Sequence, residues 1–222
     1  GQRARNKINE RLSELRDDEI IVNAQALGVD TATGFRVASI DQVAKEAEDK
    51  ETSLSGEKLS RQEALTRAVE RKGAEEGRPY HAWVNNVTGE VGLTREGRKV
   101  LKNRIVQERL RALSDHTDVD TDVLSEVSRE IDEWSEEATK EWFGKNGLIM
   151  DALRTEYTYK ETGSYVVRDN KVVLIHKDTG RSQAGQRLQG RLHQLLEAKH
   201  DLTIRSKSRT TSRITAKNLL EL

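Results

Sequence analysis

The sequence predicts an α+β fold, with helices packed around small antiparallel β-hairpins and sheets and an additional helical section at its N-terminal side. Three observations predict it. Apolar residues recur at helical spacing through most of the chain, as in Val100, Leu101, Ile105, Val106, Leu110 and Leu113. Two short stretches, Tyr80 to Leu93 and Ser164 to Ile175, switch to strand alternation around turn-forming residues. The composition, 34% charged, 34% hydrophobic and only 4% aromatic, suits a helix-rich, well-solvated chain better than a β-sandwich.

The elements follow in order. Arg3 to Arg16 places Ile8, Leu12 and Leu15 on one helical face, an amphipathic helix that needs a partner. Asp17 to Gly34 continues with Ile20, Ile21, Val22, Ala24, Ala26 and Leu27 and reads as a further helix. Ser39-Ile40-Asp41-Gln42 and Ser60-Arg61-Gln62-Glu63 carry the capping-box pattern, in which the serine accepts from an N-terminal amide and the Gln or Glu reaches back. Each cap is worth about 1 kcal/mol, enough to fix where a helix starts. Gly73 is the expected stop of the second helix, and the polar stretch Asp49 to Gly56 is an expected loop.

Pro79, the chain's single proline, marks the change from helical to strand patterning. Residues 1–79 are therefore expected to form a helical section or insertion, and 80–222 a second unit. In that unit Tyr80, Ala82 and Val84 alternate, Asn85 to Gly89 turn, and Val91 and Leu93 alternate again. Thr94 caps the next helix. A second long helix is predicted from Thr121 to Gly144, with Val127, Ile131, Trp134, Ala138 and Trp142 on one face, packed against the first as a hairpin. Gly147 to Tyr159 is a shorter helix. Ser164 to Arg168 and Lys171 to Ile175 flank an Asp169-Asn170 turn. Gln186 to Lys199 then offers Leu188, Leu192, Leu195 and Leu196 to a core. Thr203 to Ser206 and Thr210 to Ile214 are β-branched and predict connector strands near 202–215.

Charge and composition exclude several functions. Lys+Arg and Asp+Glu are equal at 38 each, so no global field favours nucleic acid. The local run Arg205, Lys207, Arg209 and Arg213 lacks the interleaved aromatics of a single-strand binder, and no nucleic-acid partner is expected. Without cysteine there are neither disulfides nor thiolate metal sites, which is compatible with a reducing cytoplasm. No apolar run is long enough to span a bilayer. The start, Gly1-Gln2-Arg3-Ala4-Arg5, has neither an initiator methionine nor a signal-peptide core, and reads as a point within a longer polypeptide.

Gly180-Arg181-Ser182-Gln183-Ala184-Gly185-Gln186-Arg187 lies between a strand and a helix, the position of a phosphate-binding loop. Such a loop needs Lys-Ser/Thr after its second glycine, to reach the terminal phosphates and to bind magnesium. Gln186 and Arg187 stand there instead, so nucleotide hydrolysis is not expected and the loop reads as a structural turn. His193 and His200 are seven apart, which does not make a metal pair on one turn, so no metal site is expected. Trp134 and Trp142, eight apart on one helical face, read as core, with a hydrophobic client groove as the alternative.

Several segments together carry a resemblance. Ser164-Tyr165-Val166-Val167-Arg168-Asp169-Asn170-Lys171-Val172-Val173-Leu174-Ile175, then Thr179-Gly180-Arg181, Leu192-His193-Gln194, Glu197-Ala198-Lys199 and Ile214-Thr215, are similar in order to the end of the preprotein-crosslinking domain of the SecA translocase family. Leu93-Thr94-Arg95-Glu96-Gly97 and Asp151-Ala152-Leu153-Arg154 resemble earlier parts of the same domain, so the resemblance covers most of Tyr80 to Leu222. The chain departs from the pattern at three places. His176-Lys177-Asp178 replaces Asp-Glu-Phe, Ala184-Gly185-Gln186-Arg187-Leu188 replaces Pro-Gly-Arg-Arg-Trp, and Gln189-Gly190-Arg191 replaces Ser-Asp-Gly. Gly1 to Pro79 matches no part of the family pattern and reads as an enlarged insertion.

The resemblance implies a non-enzymatic clamp domain that binds unfolded preprotein. ATP and Mg²⁺ would be handled by motor domains elsewhere in the parent protein. Its implied partners are the client chain, those motor domains and a membrane translocation channel. The implied location is the cytoplasm, including the inner face of the cell membrane. An extended client adds to an exposed strand edge through main-chain hydrogen bonds, and Thr203, Ile204, Arg205, Ser206, Thr211, Arg213 and Ile214 are the candidate residues. The alternatives are a solvated ribbon whose charges discourage edge aggregation, and an interaction module that kept the scaffold and lost transport.

Overall fold

The computed structural model describes residues 28–40, 59–114, 121–133, 136–145, 147–189 and 191–205. Three strands form the first sheet: β1 (Val37–Ser39), β2 (Ala82–Val84) and β3 (Val91–Leu93), in the order β1-β2-β3. The β2–β3 pair is the expected hairpin, with Ala82 opposite Leu93 and Val84 opposite Val91. Buried Asn85 shapes its turn by accepting from the Val87 and Thr88 amides, both at 3.0 Å. β1 lies parallel to β2, with Val37 opposite Ala82, and Ile40 extends the pairing by donating to the Val84 carbonyl at 3.0 Å.

The alternation read in Tyr80 to Val84 does not divide the hairpin into a wet and a dry face. All three residues of β2 and of β3 are buried, because both faces of the sheet are covered. On one face Trp83 joins Ala38, Ile40, Leu65 and Val69 beneath α1 (Arg61–Glu75). On the other, Ala82, Val84, Val91 and Leu93 enter the main core with Leu101, Ile105, Ile149 and Leu153. A division after Pro79 would fall between the paired strands β1 and β2.

Helix boundaries follow local chemistry. Ser60 and Glu63 form the capping box at the start of α1, with the Ser60 amide 3.0 Å from Glu63 Oε2. The helix runs through Gly73 and ends two residues later. Gly77 instead takes the left-handed conformation (φ 65°), and the Gly77 and Arg78 amides donate back to the Ala74 and Gly73 carbonyls. Gly73 permits a close approach, since a Cβ there would lie 3.0 to 3.1 Å from the Tyr80, Arg78 and Pro79 backbone. Residues 28–34, expected to continue a helix, make a single 3₁₀ turn at Thr31–Thr33 capped by Asp30. The preceding residues 17–27, and residues 41–58 after the first capping-box serine, lie outside those described.

Thr94 caps α2 (Arg95–Ser114) as the sequence predicts, its hydroxyl accepting from the Gly97 amide at 3.0 Å while donating to the Tyr80 carbonyl at 2.7 Å. α2 packs on α3 (Thr121–Asp132). The long helix expected from Thr121 is interrupted, and α4 (Glu136–Phe143) follows as a separate element. Trp142 is buried in the main core, in keeping with the packing reading, while Trp134 lies outside the described residues. α5 (Leu148–Tyr157) is apolar along most of its length and packs on β3 and α4.

A second sheet follows, in the order β4-β5-β6: β4 (Tyr165–Arg168), β5 (Lys171–Ile175) and β6 (Ser182–Gln183). Asp169 (φ 49°) and Asn170 (φ 57°) both take left-handed backbone, the two-residue turn whose twist suits a hairpin. α6 (Leu192–Lys199) closes the sheet's inner face, where Leu196 meets Tyr165, Val172 and Leu174. No helix among the described residues is long and apolar enough to cross a membrane.

Candidate functional site

The glycine-bracketed loop does not form a phosphate cradle. Gly180 (φ 64°) and Gly185 (φ 86°) are left-handed turns on either side of β6, which pairs Ser182 with Ile175 and Gln183 with Leu174. The loop is thus more than a turn, since it supplies the third strand of the sheet. Within it, Ser182 and Gln183 run alongside β5 in a ladder. Thr179, Gly180 and Arg181 form the exposed turn from β5, with the His176 amide donating to the Arg181 carbonyl at 2.9 Å. The helix expected from Gln186 begins only at Leu192, after the left-handed turn at Gly185 (φ 86°), where the Gln186 amide donates back to the Gln183 carbonyl at 3.3 Å.

α6 carries the polar centre of this region. Leu195 faces the main core and Leu196 the second sheet, which fixes the helix rotation. That rotation buries His193 and Glu197, one turn apart, and Glu197 is only 3% exposed. Buried carboxylates need charge-assisted partners. Arg187 supplies one, its guanidinium 3.3 and 3.4 Å from the two Glu197 oxygens. His193 Nε2 lies 3.5 Å from Glu197 Oε1, while its Nδ1 accepts from the Leu188 amide at 3.4 Å. With Nδ1 an acceptor, the proton belongs on Nε2, where it faces the carboxylate. Burial, helped by the Arg187 charge, holds the His193 pKa below the usual histidine value, which favours this neutral form.

The third partner is the chain itself. After α6 it reverses at Asp201 (φ 53°), and the Leu202 amide donates to the Glu197 carbonyl at 2.9 Å. The Arg205 amide then donates to Glu197 Oε2 at 3.0 Å. The Arg205 carbonyl accepts from Gln194 Nε2 at 3.1 Å and from Arg187 at 3.4 Å. Leu202 is packed on the second-sheet cluster, whereas Thr203 and Ile204 face outward. Ile204, 43% exposed, and Val87, 81% exposed, are the large exposed apolar residues among those described.

Sequence reasoning expected Thr203 to Ser206 to be a strand. Residues 203–205 are in no strand, because the Arg205 backbone is engaged by side chains of α6 and the preceding loop instead of by a neighbouring strand. Ser206, Thr211, Arg213 and Ile214 lie outside the described residues. Leu192, His193 and Gln194 form the first turn of α6, where Gln194 reaches the candidate segment directly. Glu197 and Arg187 were not singled out as site residues. The available signal was the His193-to-Glu197 spacing of four, one turn apart on the helix that carries Leu192, Leu195 and Leu196.

A second concave surface, a cleft of about 440 Å³, lies between the β2–β3 turn at Val87 and the second sheet at Leu174 and Gln183, with Tyr159 in its wall. Among the described residues no group of three or more His, Asp or Glu side chains could hold a metal ion.

Comparison with known proteins adds a family. The family model for the SecA preprotein cross-linking domain matches residues 39–197. It therefore includes residues 39–79, which sequence reading had set apart as an unmatched insertion. The protein translocase subunit SecA of Aliarcobacter butzleri is 32% identical over 113 residues, covering 45% of this chain and 13% of that protein. SecA of Sorangium cellulosum is 43% identical over 75 residues, 34% of this chain and 7% of that protein. SecA of Chlamydia caviae is 38% identical over 88 residues, 40% and 9% respectively. The matches thus span a small part of each of these longer proteins.

Proposed function

The chain belongs to the SecA preprotein cross-linking domain family, and from that premise we propose that it is the client-binding clamp of a SecA-like translocase. The observation that carries the reading is the exposed Thr203-Ile204-Arg205 segment, held against α6 and paired with no strand among the described residues. An unfolded preprotein would add to this segment and the connector beyond it through main-chain hydrogen bonds. That mode gives affinity with little sequence preference, and Ile204 supplies apolar contact. Thr203, Ile204, Arg205, Ser206, Thr211, Arg213 and Ile214 are the proposed client-binding residues. ATP hydrolysis and Mg²⁺ binding are assigned to other parts of the parent translocase. The neighbouring motor domains and a membrane channel are its further proposed partners, at the cytoplasmic face of the membrane.

The test is saturable binding of a labelled unfolded preprotein peptide to the 222-residue chain, followed by anisotropy. Binding that weakens when Arg205 and Arg213 are both reversed to Glu supports the reading. No binding at high protein concentration would count against it. That result would favour an interaction module with an altered surface, a second reading supported by the exposed positions of the divergent residues His176, Lys177, Asp178, Ala184 and Gln186.

A further inference from the structure

We propose that Glu197 is a positioning residue that holds both ends of the exposed segment, its main chain fixing Leu202 and its buried carboxylate fixing Arg205. Two fixed points on one helical residue define the path of the two residues between them. The first is the Leu202 amide on the Glu197 carbonyl, supported by Leu202 packing beside Leu196. The second is the Arg205 amide on Glu197 Oε2. Gln194 and Arg187 then hold the Arg205 carbonyl, so both polar groups of that peptide backbone are engaged from the domain side. Thr203 and Ile204 are left facing solvent along a set path.

The carboxylate itself is held in place from two sides. Arg187 pairs with both its oxygens, and His193 Nε2 stands 3.5 Å from Oε1 on the preceding turn. Leu188 orients His193 in turn through its amide. The arrangement therefore spans the loop after β6, the helix and the departing chain, three segments that no β-ladder joins among the described residues. A segment ordered before its client arrives loses less conformational freedom on binding, so removal of the carboxylate should weaken client binding without touching any client contact. This consequence rests on the client-binding reading, whereas the positioning role does not.

Hydrogen exchange at the Arg205 amide in the free protein tests the role directly. Glu197→Ala should accelerate it roughly tenfold or more, the effect of losing one charge-assisted bond, while amides of the first sheet keep their protection. Glu197→Gln, which retains an acceptor oxygen, should restore part of it. Gln194→Ala, which leaves the carboxylate in place, should give a smaller acceleration and decides the matter if Glu197→Ala does not fold. Unchanged Arg205 exchange in Gln194→Ala and in folded Glu197→Ala would overturn the proposal. So would acceleration spread evenly over α6 and the second sheet, which would mark a packing role alone. Altered exchange without peptide binding would leave the positioning role standing and remove the client.

Discussion

The two sheets of this domain are of similar size and differently supported. The first has helices or core on both faces, so every residue of β2 and β3 is buried, including Trp83 against α1. The second has alternating burial along β5, and only its inner face meets α6 through Leu196. One sheet therefore organises the body of the domain. The other is a thin platform whose helix carries the polar group that holds the departing chain. The difference separates the residues on which folding depends from those available for binding a partner.

The largest expected effect tests the first sheet. Trp83→Ala removes a buried ring whose Nε1 also donates to Thr66 at 2.9 Å, and should cost about 3–5 kcal/mol in denaturant unfolding. Leu174→Ala in the second sheet should cost about 2 kcal/mol, the low end for a leucine, because the opposite face of its sheet is only partly covered. Equal losses at the two positions would break the comparison.

A smaller effect is pH-dependent. Burial lowers the pKa of both His193 and His81 below 6.5, so the unfolded chain takes up protons before the folded one does as the pH falls. Their contribution is complete above 6.5 and is lost below it, so the thermal midpoint should fall as the buffer is taken from pH 7.5 toward 5. His193→Gln should flatten that slope. A slope unchanged by the substitution would show that His193 titrates as it does in the unfolded chain. The smallest effect concerns the hairpin turn, where Asn170→Gly should stabilise by about 0.5 kcal/mol because φ 57° costs glycine nothing. A loss of stability would mean that the asparagine side chain supports the turn.

The two hairpins were legible because alternation and turn residues lie close together in the chain. Asp169-Asn170 is the clearest case, being a local signal for a local structure. β1 and β6 were not legible, since Val37-Ala38-Ser39 and Ser182-Gln183 show no apolar alternation of their own. The parallel β1–β2 pair also joins residues separated by α1, a contact that no local pattern encodes. The same limit applied to the site. Leu192, His193 and Gln194 could be read as one motif. The burial of Glu197, however, depends on Arg187 before the helix and the Arg205 backbone after it. A lone glutamate on a helix ordinarily faces water, and only its neighbours in space show otherwise.

Because the chain lacks cysteine, its central claim can be tested with a single introduced thiol. A photocrosslinker attached at Ile204→Cys is compared with one at Val87→Cys, the other large exposed apolar position among the described residues, with an unfolded preprotein added to each. The account predicts covalent capture of the client at position 204, several-fold above that at position 87 and competed by unlabelled client. Equal capture at both positions, or capture at 87 alone, would contradict it.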